Sequence, residues 1–210
     1  MRKLAIFSFL CVLASNSIAQ GYVGAVASLT SIGIDCADKL SCDKKGFGLR
    51  LYAGTKLAPE NQYDFQIGKV SAIEIGVLSF GKASSSYDQS YTAADLVNGG
   101  TYTLNRQVSK VSTANALTVS AVAEMPVSSE FAFLAKLGVA YVSSTTRTYI
   151  DGASNGSETA TKLKPYLGLG ASFLIMDSLK VVGNYDVTAF DVAGRKSRIN
   201  SLGFGAEMSF

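Results

Sequence analysis

Apolar and polar residues alternate one by one through segment after segment of this chain, and that period limits what it can fold into. In 46–57 one parity carries Phe47, Leu49, Leu51, Ala53 and Leu57, with Thr55 its only polar member; the other carries Gly48, Arg50, Tyr52, Gly54 and Lys56. Residues 72–80 set Ile73, Ile75 and Val77 against Glu74 and Gly76, and 116–125 set Leu117, Val119, Ala121, Ala123 and Met125 against Thr118, Ser120 and Glu124. In 131–141 the division is Phe131, Phe133, Ala135, Leu137, Val139 and Tyr141 against Lys136 and Gly138. Residues 166–173 and 201–210 repeat it, the latter with Leu202, Phe204, Ala206, Met208 and Phe210 against Ser201, Gly203, Gly205, Glu207 and Ser209. Weaker versions run through 21–29 and through 179–190, where Val181, Tyr185 and Val187 oppose Asn184 and Asp186. Successive side chains of a strand point to opposite faces, so each segment is predicted to be a strand with one apolar face.

Alternation alone fits a water-soluble sandwich as well as a membrane barrel, and the polar parity separates them. It is rich in Gly and Ser and carries single charges: Arg50, Glu74, Glu124, Lys136, Asp186 and Glu207. A water-facing sheet would be denser in Lys, Glu and Thr, whereas the lumen of a small barrel takes small polar residues and a few charges. Arg or Lys in mid-bilayer on the lipid face costs about 2–4 kcal/mol, and no apolar parity here contains one. The predicted fold is therefore all-β: an eight-stranded antiparallel transmembrane up-and-down β-barrel occupying 20–210.

The linkers support that reading. Residues 30–45, 82–115 and 142–164 are long and polar, with 84–103 expected as a solvated loop; 126–130 and 176–178 are short. Long loops outside and tight turns inside are the barrel asymmetry. Residues 58–70 are long for a turn, and a strand extension through Phe65 and Ile67 is one way to use them. Ahead of all this, Arg2 and Lys3 precede the apolar run 4–13, and small residues follow at Ser17-Ile18-Ala19. The run falls short of the roughly 20 residues a spanning helix needs, so 1–19 is predicted to be a cleavable signal peptide, making the chain an exported one.

Composition excludes several function classes. The formal net charge is +3, of which Arg2 and Lys3 supply two, so no nucleic-acid footprint is expected. There is no His, the commonest general base and metal ligand, and the chain is expected to be no enzyme, with no cofactor and no metal. Cys36 and Cys42 remain after the signal peptide and are expected to form a disulfide, worth about 2 kcal/mol for so short a loop. A metal site with Asp35, Asp38 and Asp43 is the weaker alternative, because two thiols without His make a poor zinc set. The stretch 76–83 nearly matches a phosphate-binding loop but has Ala83 where Ser or Thr should stand, and its interior reads as strand. Asn155-Gly156-Ser157 fits a glycosylation acceptor and is read instead as turn chemistry.

Residues 43–54 (Asp-Lys-Lys-Gly-Phe-Gly-Leu-Arg-Leu-Tyr-Ala-Gly), followed by Ala72-Ile73-Glu74-Ile75-Gly76 and Phe80-Gly81-Lys82, resemble the second and third strands of the OmpA-like outer-membrane β-barrel family. The opening Tyr22-Val23-Gly24-Ala25 and the close from Leu202 to Phe210 are similar too, so the resemblance covers nearly all of 21–210. It implies that Phe210, Met208 and Phe204 form the signal read by barrel-assembly machinery. It also implies that the six inward charges pair and plug the lumen. No segment matches the peptidoglycan-binding domain of larger members, so cell-wall tethering is not carried over. The expectation is an outer-membrane protein with a structural or surface-interaction role. Its partners would be membrane lipid and lipopolysaccharide, with outer loops available to host or surface ligands. A narrow low-conductance channel is the alternative; an outer-membrane enzyme ranks third.

Overall fold

The computed structural model describes residues 20–34, 36, 39–58, 62–65, 68–94, 101–192 and 195–210. Residues 1–19, expected to be a signal peptide, lie outside them, as do Asp35, Asp38 and Ile67. Among the described residues ten strands form one sheet: β1 (Gly21–Ile32), β2 (Ser41–Asp43), β3 (Lys45–Lys56), β4 (Tyr63–Phe65), β5 (Gly68–Ala94), β6 (Thr101–Pro126), β7 (Phe131–Ile150), β8 (Ala153–Met176), β9 (Leu179–Val192) and β10 (Arg195–Ser209). Every pairing is antiparallel, and the ring β1-β3-β5-β6-β7-β8-β9-β10 closes when β10 pairs back onto β1 from Tyr22↔Ser209 to Ile32↔Ile199. The short β2 and β4 sit outside that ring, each paired with β5. Closure leaves no unpaired edge in the belt, the condition for a sheet to cross a bilayer.

Each segment expected to be a strand is one, and the expected apolar parity faces outward. Leu29, Phe47, Leu137, Leu169 and Phe204 are each exposed by more than three-fifths, whereas Arg50, Glu74, Lys136 and Asp186 are buried. An apolar outer band this large does not belong in water. The inside is not only small and polar. Two apolar clusters share the lumen: Ile32, Leu78, Phe80, Val142, Phe190, Ile199 and neighbours toward the hairpin end, and Tyr22, Val26, Tyr52, Val122, Leu134 and Val182 toward the turn end.

The long linkers are mostly not loops. β5 and β6 run 27 and 26 residues, and β7 and β8 run 20 and 24, where crossing a bilayer takes about 9–11. Of the residues expected as loops, 82–94, 101–115 and 142–164 instead continue the ladder as two hairpins joined to each other, from Val108↔Ile150 to Ala116↔Val142, and 95–100 lie outside the described residues. Thr and Tyr are good strand residues without being strongly apolar, which is why a polar stretch that contains them reads as loop and folds as sheet. The β7–β8 turn is Asp151-Gly152, with φ of 50° and 81°, the paired positive values a two-residue type I′ turn demands. Asn155 is not in a turn: Thr148 pairs with Gly156 and Tyr149 with Ser154, leaving Asn155 as a bulge inside β8.

A second bulge redirects β5. The register slips between Ser79 and Lys82, with Gly81 at φ 76°, and any Cβ there would press on the Phe47 backbone. Beyond it the parity inverts: Ala83 and Ser85 turn inward and Lys82 outward. At the turn end β4 folds back on the start of β5 (Phe65↔Gly68), so part of 58–70 is a small hairpin and not a plain turn.

Candidate functional site in the barrel lumen

Inward positions of β3, β5, β7 and β9 place four charges between the two apolar clusters. The Arg50 guanidinium bonds Glu74 Oε1 through one terminal nitrogen and reaches both Asp186 oxygens at 3.3 Å through the other. Lys136 Nζ donates to Glu74 Oε2 at 2.9 Å, and the Tyr166 hydroxyl donates to Asp186 Oδ1 at 2.5 Å. Arg50, Glu74, Lys136 and Asp186 all lie within 6% of full burial at the side chain. Their formal charges cancel in pairs, which burial requires: an unpartnered ion here would cost several kcal/mol.

Aromatic rings enclose the cations. The Arg50 guanidinium lies 4.8 Å from the Tyr52 ring centre and 5.7 Å from that of Tyr166, and the Lys136 ammonium is 4.8 Å from Tyr52. A desolvated cation over a ring face gains about 2 kcal/mol. The Tyr52 hydroxyl donates to Glu207 at 3.1 Å, which ties a fifth charged group into the assembly. The sixth, Glu124, stands apart. It takes a bond from Lys180 at 3.0 Å near the turn end, where both side chains are partly exposed.

Tyr22, Tyr52, Tyr166 and Lys180 were not singled out from the sequence, although each sits on the polar parity of its strand. The signal was there: a large residue at a lumen position must fill space next to a small one. Tyr52 lies over Gly24 and Tyr22 over Gly54 in reciprocal cross-strand pairs, and a Cβ at either glycine would collide with the facing ring. The cost of bare glycine in a strand is offset by the covering ring.

Little space remains. Below the network, a cavity of about 20 Å³ is lined by Tyr22, Glu74, Glu124, Lys136, Lys180 and Glu207 among others, room for about one water. Above it, between Arg50, Leu78, Phe80 and Asp186, no water-sized space is open. At the hairpin mouth Lys162 and Lys164 of β8 each reach an Asp191 oxygen at 2.7 Å. Bonds from Lys162 first and Lys164 second hold that carboxyl down at about 2.

Cys36 and Cys42 are joined as a disulfide with Cα atoms 5.8 Å apart, between the end of β1 and β2. Met208 and Phe204 face outward on β10, and Phe210 follows it, its N–H bonded to the Gly21 carbonyl. Among the described residues no group of His, Cys, Asp or Glu is arranged to hold a metal ion.

Solved structures similar to this chain include Ail, the attachment invasion locus protein of Yersinia pestis, at 12% identity and TM-score 0.48, covering 91% of this chain and 99% of that one. A major outer membrane protein from Thermus thermophilus aligns at 18% identity and TM-score 0.48 over 92% and 100%. Neisserial surface protein A aligns at 14% identity and TM-score 0.45 over 90% and 97%. No curated protein sequence matches. The family model described as outer membrane protein beta-barrel domain matches residues 4–210, and the chain belongs to that family.

Proposed function

We propose that this is a bacterial outer-membrane barrel whose lumen is a structural plug and whose work is done at its surface. The observation that carries this is the filled interior: charges neutralised in contact, apolar side chains above and below, and space for about one water. Such a lumen offers neither a substrate pocket nor a steady ion path, which favours a non-enzymatic, stabilising role. The paired hairpins β5–β6 and β7–β8 then stand outside the cell as the surface available to partners. Their sides carry hydroxyls tied in cross-strand bonds, such as Thr145 to Thr159 and Thr161 to Ser143, which make a rigid, wettable sheet.

Protease treatment of intact cells tests the orientation. Trypsin should cut within the hairpins, where Arg106, Arg147 and Lys162 are exposed, and leave the belt intact. Full protection in intact cells with cleavage only after lysis would contradict it.

A further inference from the structure

The outer surface just above the apolar band is not uniform around the ring. On β6, β7 and β8 it presents Asn115, Thr113, Ser143, Thr145, Thr159 and Thr161, all neutral, with the cation Arg147 higher on β7, one outward position above Thr145. On the opposite side it presents cations. Lys45 on β3 stands one outward position above Phe47, and Ser31 of β1 pairs with it. The same Ser31 pairs on its other side with Asn200 of β10, one outward position below Arg198. Lys82 is on β5, beside Gly46 of β3, and it faces outward because of the Gly81 bulge. With strands about 5 Å apart, Lys82, Lys45 and Arg198 span an arc of about 15 Å.

These cations are uncommitted. Among the described residues none of the three is in an ion pair. The acid nearest Lys45 in sequence, Asp43, accepts the backbone N–H of Lys45, and Asp191 on the same rim is held by Lys162 and Lys164. Beneath Arg198 lies an apolar groove of about 360 Å³, lined by Pro165, Leu167, Val187, Thr188, Ala189, Ser197 and Arg198. It opens where β8 leaves β9: their ladder ends at Tyr166↔Thr188, while β9 stays paired to β10 up to Val192↔Arg195. Pro165 has no N–H to extend that ladder, and the Thr188 hydroxyl takes up its carbonyl. Arg198 pairs with Ala189, so the guanidinium stands at the rim of a groove that faces lipid.

We infer that this side of the barrel binds a phosphate-bearing lipid of the outer leaflet, its headgroup on Lys45, Lys82 and Arg198 and an acyl chain in the β8–β10 groove. The inference rests on the membrane orientation proposed above. A soluble anion explains the cations but not the lipid-facing groove beside them. Clustered cations at a membrane surface draw anionic headgroups, each strengthening the attraction about five-fold.

The test uses the full barrel in phosphatidylcholine nanodiscs doped with diphosphoryl lipid A, with retained lipid read by native mass spectrometry. The triple variant Lys45→Gln, Lys82→Gln, Arg198→Gln should weaken retention about a hundred-fold, at about five-fold per cation. Arg147→Gln, on the hydroxyl side, should leave it unchanged. Val187→Trp, which fills the groove, should weaken lipid retention with the cations intact. Equal retention by the triple variant and the parent would overturn the site. Displacement of the lipid by inorganic phosphate, with Val187→Trp silent, would also overturn it by moving the ligand into water. Each variant is first run unboiled on a gel, so that loss of the barrel is distinguished from loss of the site; the three single variants serve if the triple one does not fold.

Discussion

Arg50 and Asp186 lie 136 positions apart in the chain, and their side chains meet at 3.3 Å in the middle of the lumen. Arg50 also bonds Glu74, so one guanidinium bridges two acids brought from separate strands, with Lys136 supplying the second positive charge. The contact ties β3 to β9 across the barrel, where the shorter route along the sheet ladder runs round through β1 and β10.

Arg50→Met should therefore destabilise the barrel by about 3–5 kcal/mol, because it leaves buried acids short of a cation. Adding Asp186→Asn should recover part of that loss, and a coupling of about 1 kcal/mol or more in urea unfolding of the lipid-embedded protein is expected. Strict additivity of the two changes would mean that the pair contributes nothing jointly.

Gly54→Ala should lower the unfolding midpoint, at a cost of about 1–3 kcal/mol, because the new methyl collides with the Tyr22 ring. Adding Tyr22→Leu should relieve the collision and give back stability relative to Gly54→Ala alone. A Gly54→Ala variant as stable as the parent would show that the ring does not rest on the glycine.

Gly152→Ala probes the β7–β8 turn differently. Nothing lies within 4 Å of a Cβ there, so its cost is conformational alone, about 1–2 kcal/mol for an L-residue at φ 81°. Local hydrogen exchange near the turn should rise while the membrane belt is unaffected.

Asp191 offers a pH test. Its carboxyl titrates at about 2 in the fold against 3.8 free, so it favours the folded mouth fully above 3.8. That contribution falls away as pH drops through the interval from 3.8 to about 2. Carbon-detected NMR of the side chain should show the low value. Lys162→Gln should raise it, since the Lys162 bond is the largest cause; titration near 3.8 in the parent would mean the clamp is not formed.

Much of the barrel is legible in the sequence because one face meets lipid and the other packs inside, so a slip of one residue would reverse every side chain. Ile73, Glu74, Ile75 and Gly76 declare their faces without help. The extent of β5 to β8 is not legible in that way: once a strand rises above lipid its outer face meets water and takes polar residues too, so Ser84-Ser85-Ser86 has no alternation of residue type to show although Ser85 is buried. Asp151-Gly152 is a strong hairpin turn signal, but its significance depends on knowing that the flanking Thr-rich stretches are strands. Parity places Arg50, Glu74, Lys136 and Asp186 inside; it does not give their height. Glu124 shares their parity and lies nearer the turn end, where Lys180 takes it. Lys82 was obscured for another reason, because the Gly81 bulge reverses the parity on which such placement relies.

Single-channel recording in planar bilayers tests the plugged lumen most directly. The parent protein should give a closed, quiet trace, and Arg50→Ala, which removes the cation shared by Glu74 and Asp186, should give frequent openings. A steady current through the parent, unchanged in the variant, would contradict the plug and leave a narrow channel as the better description.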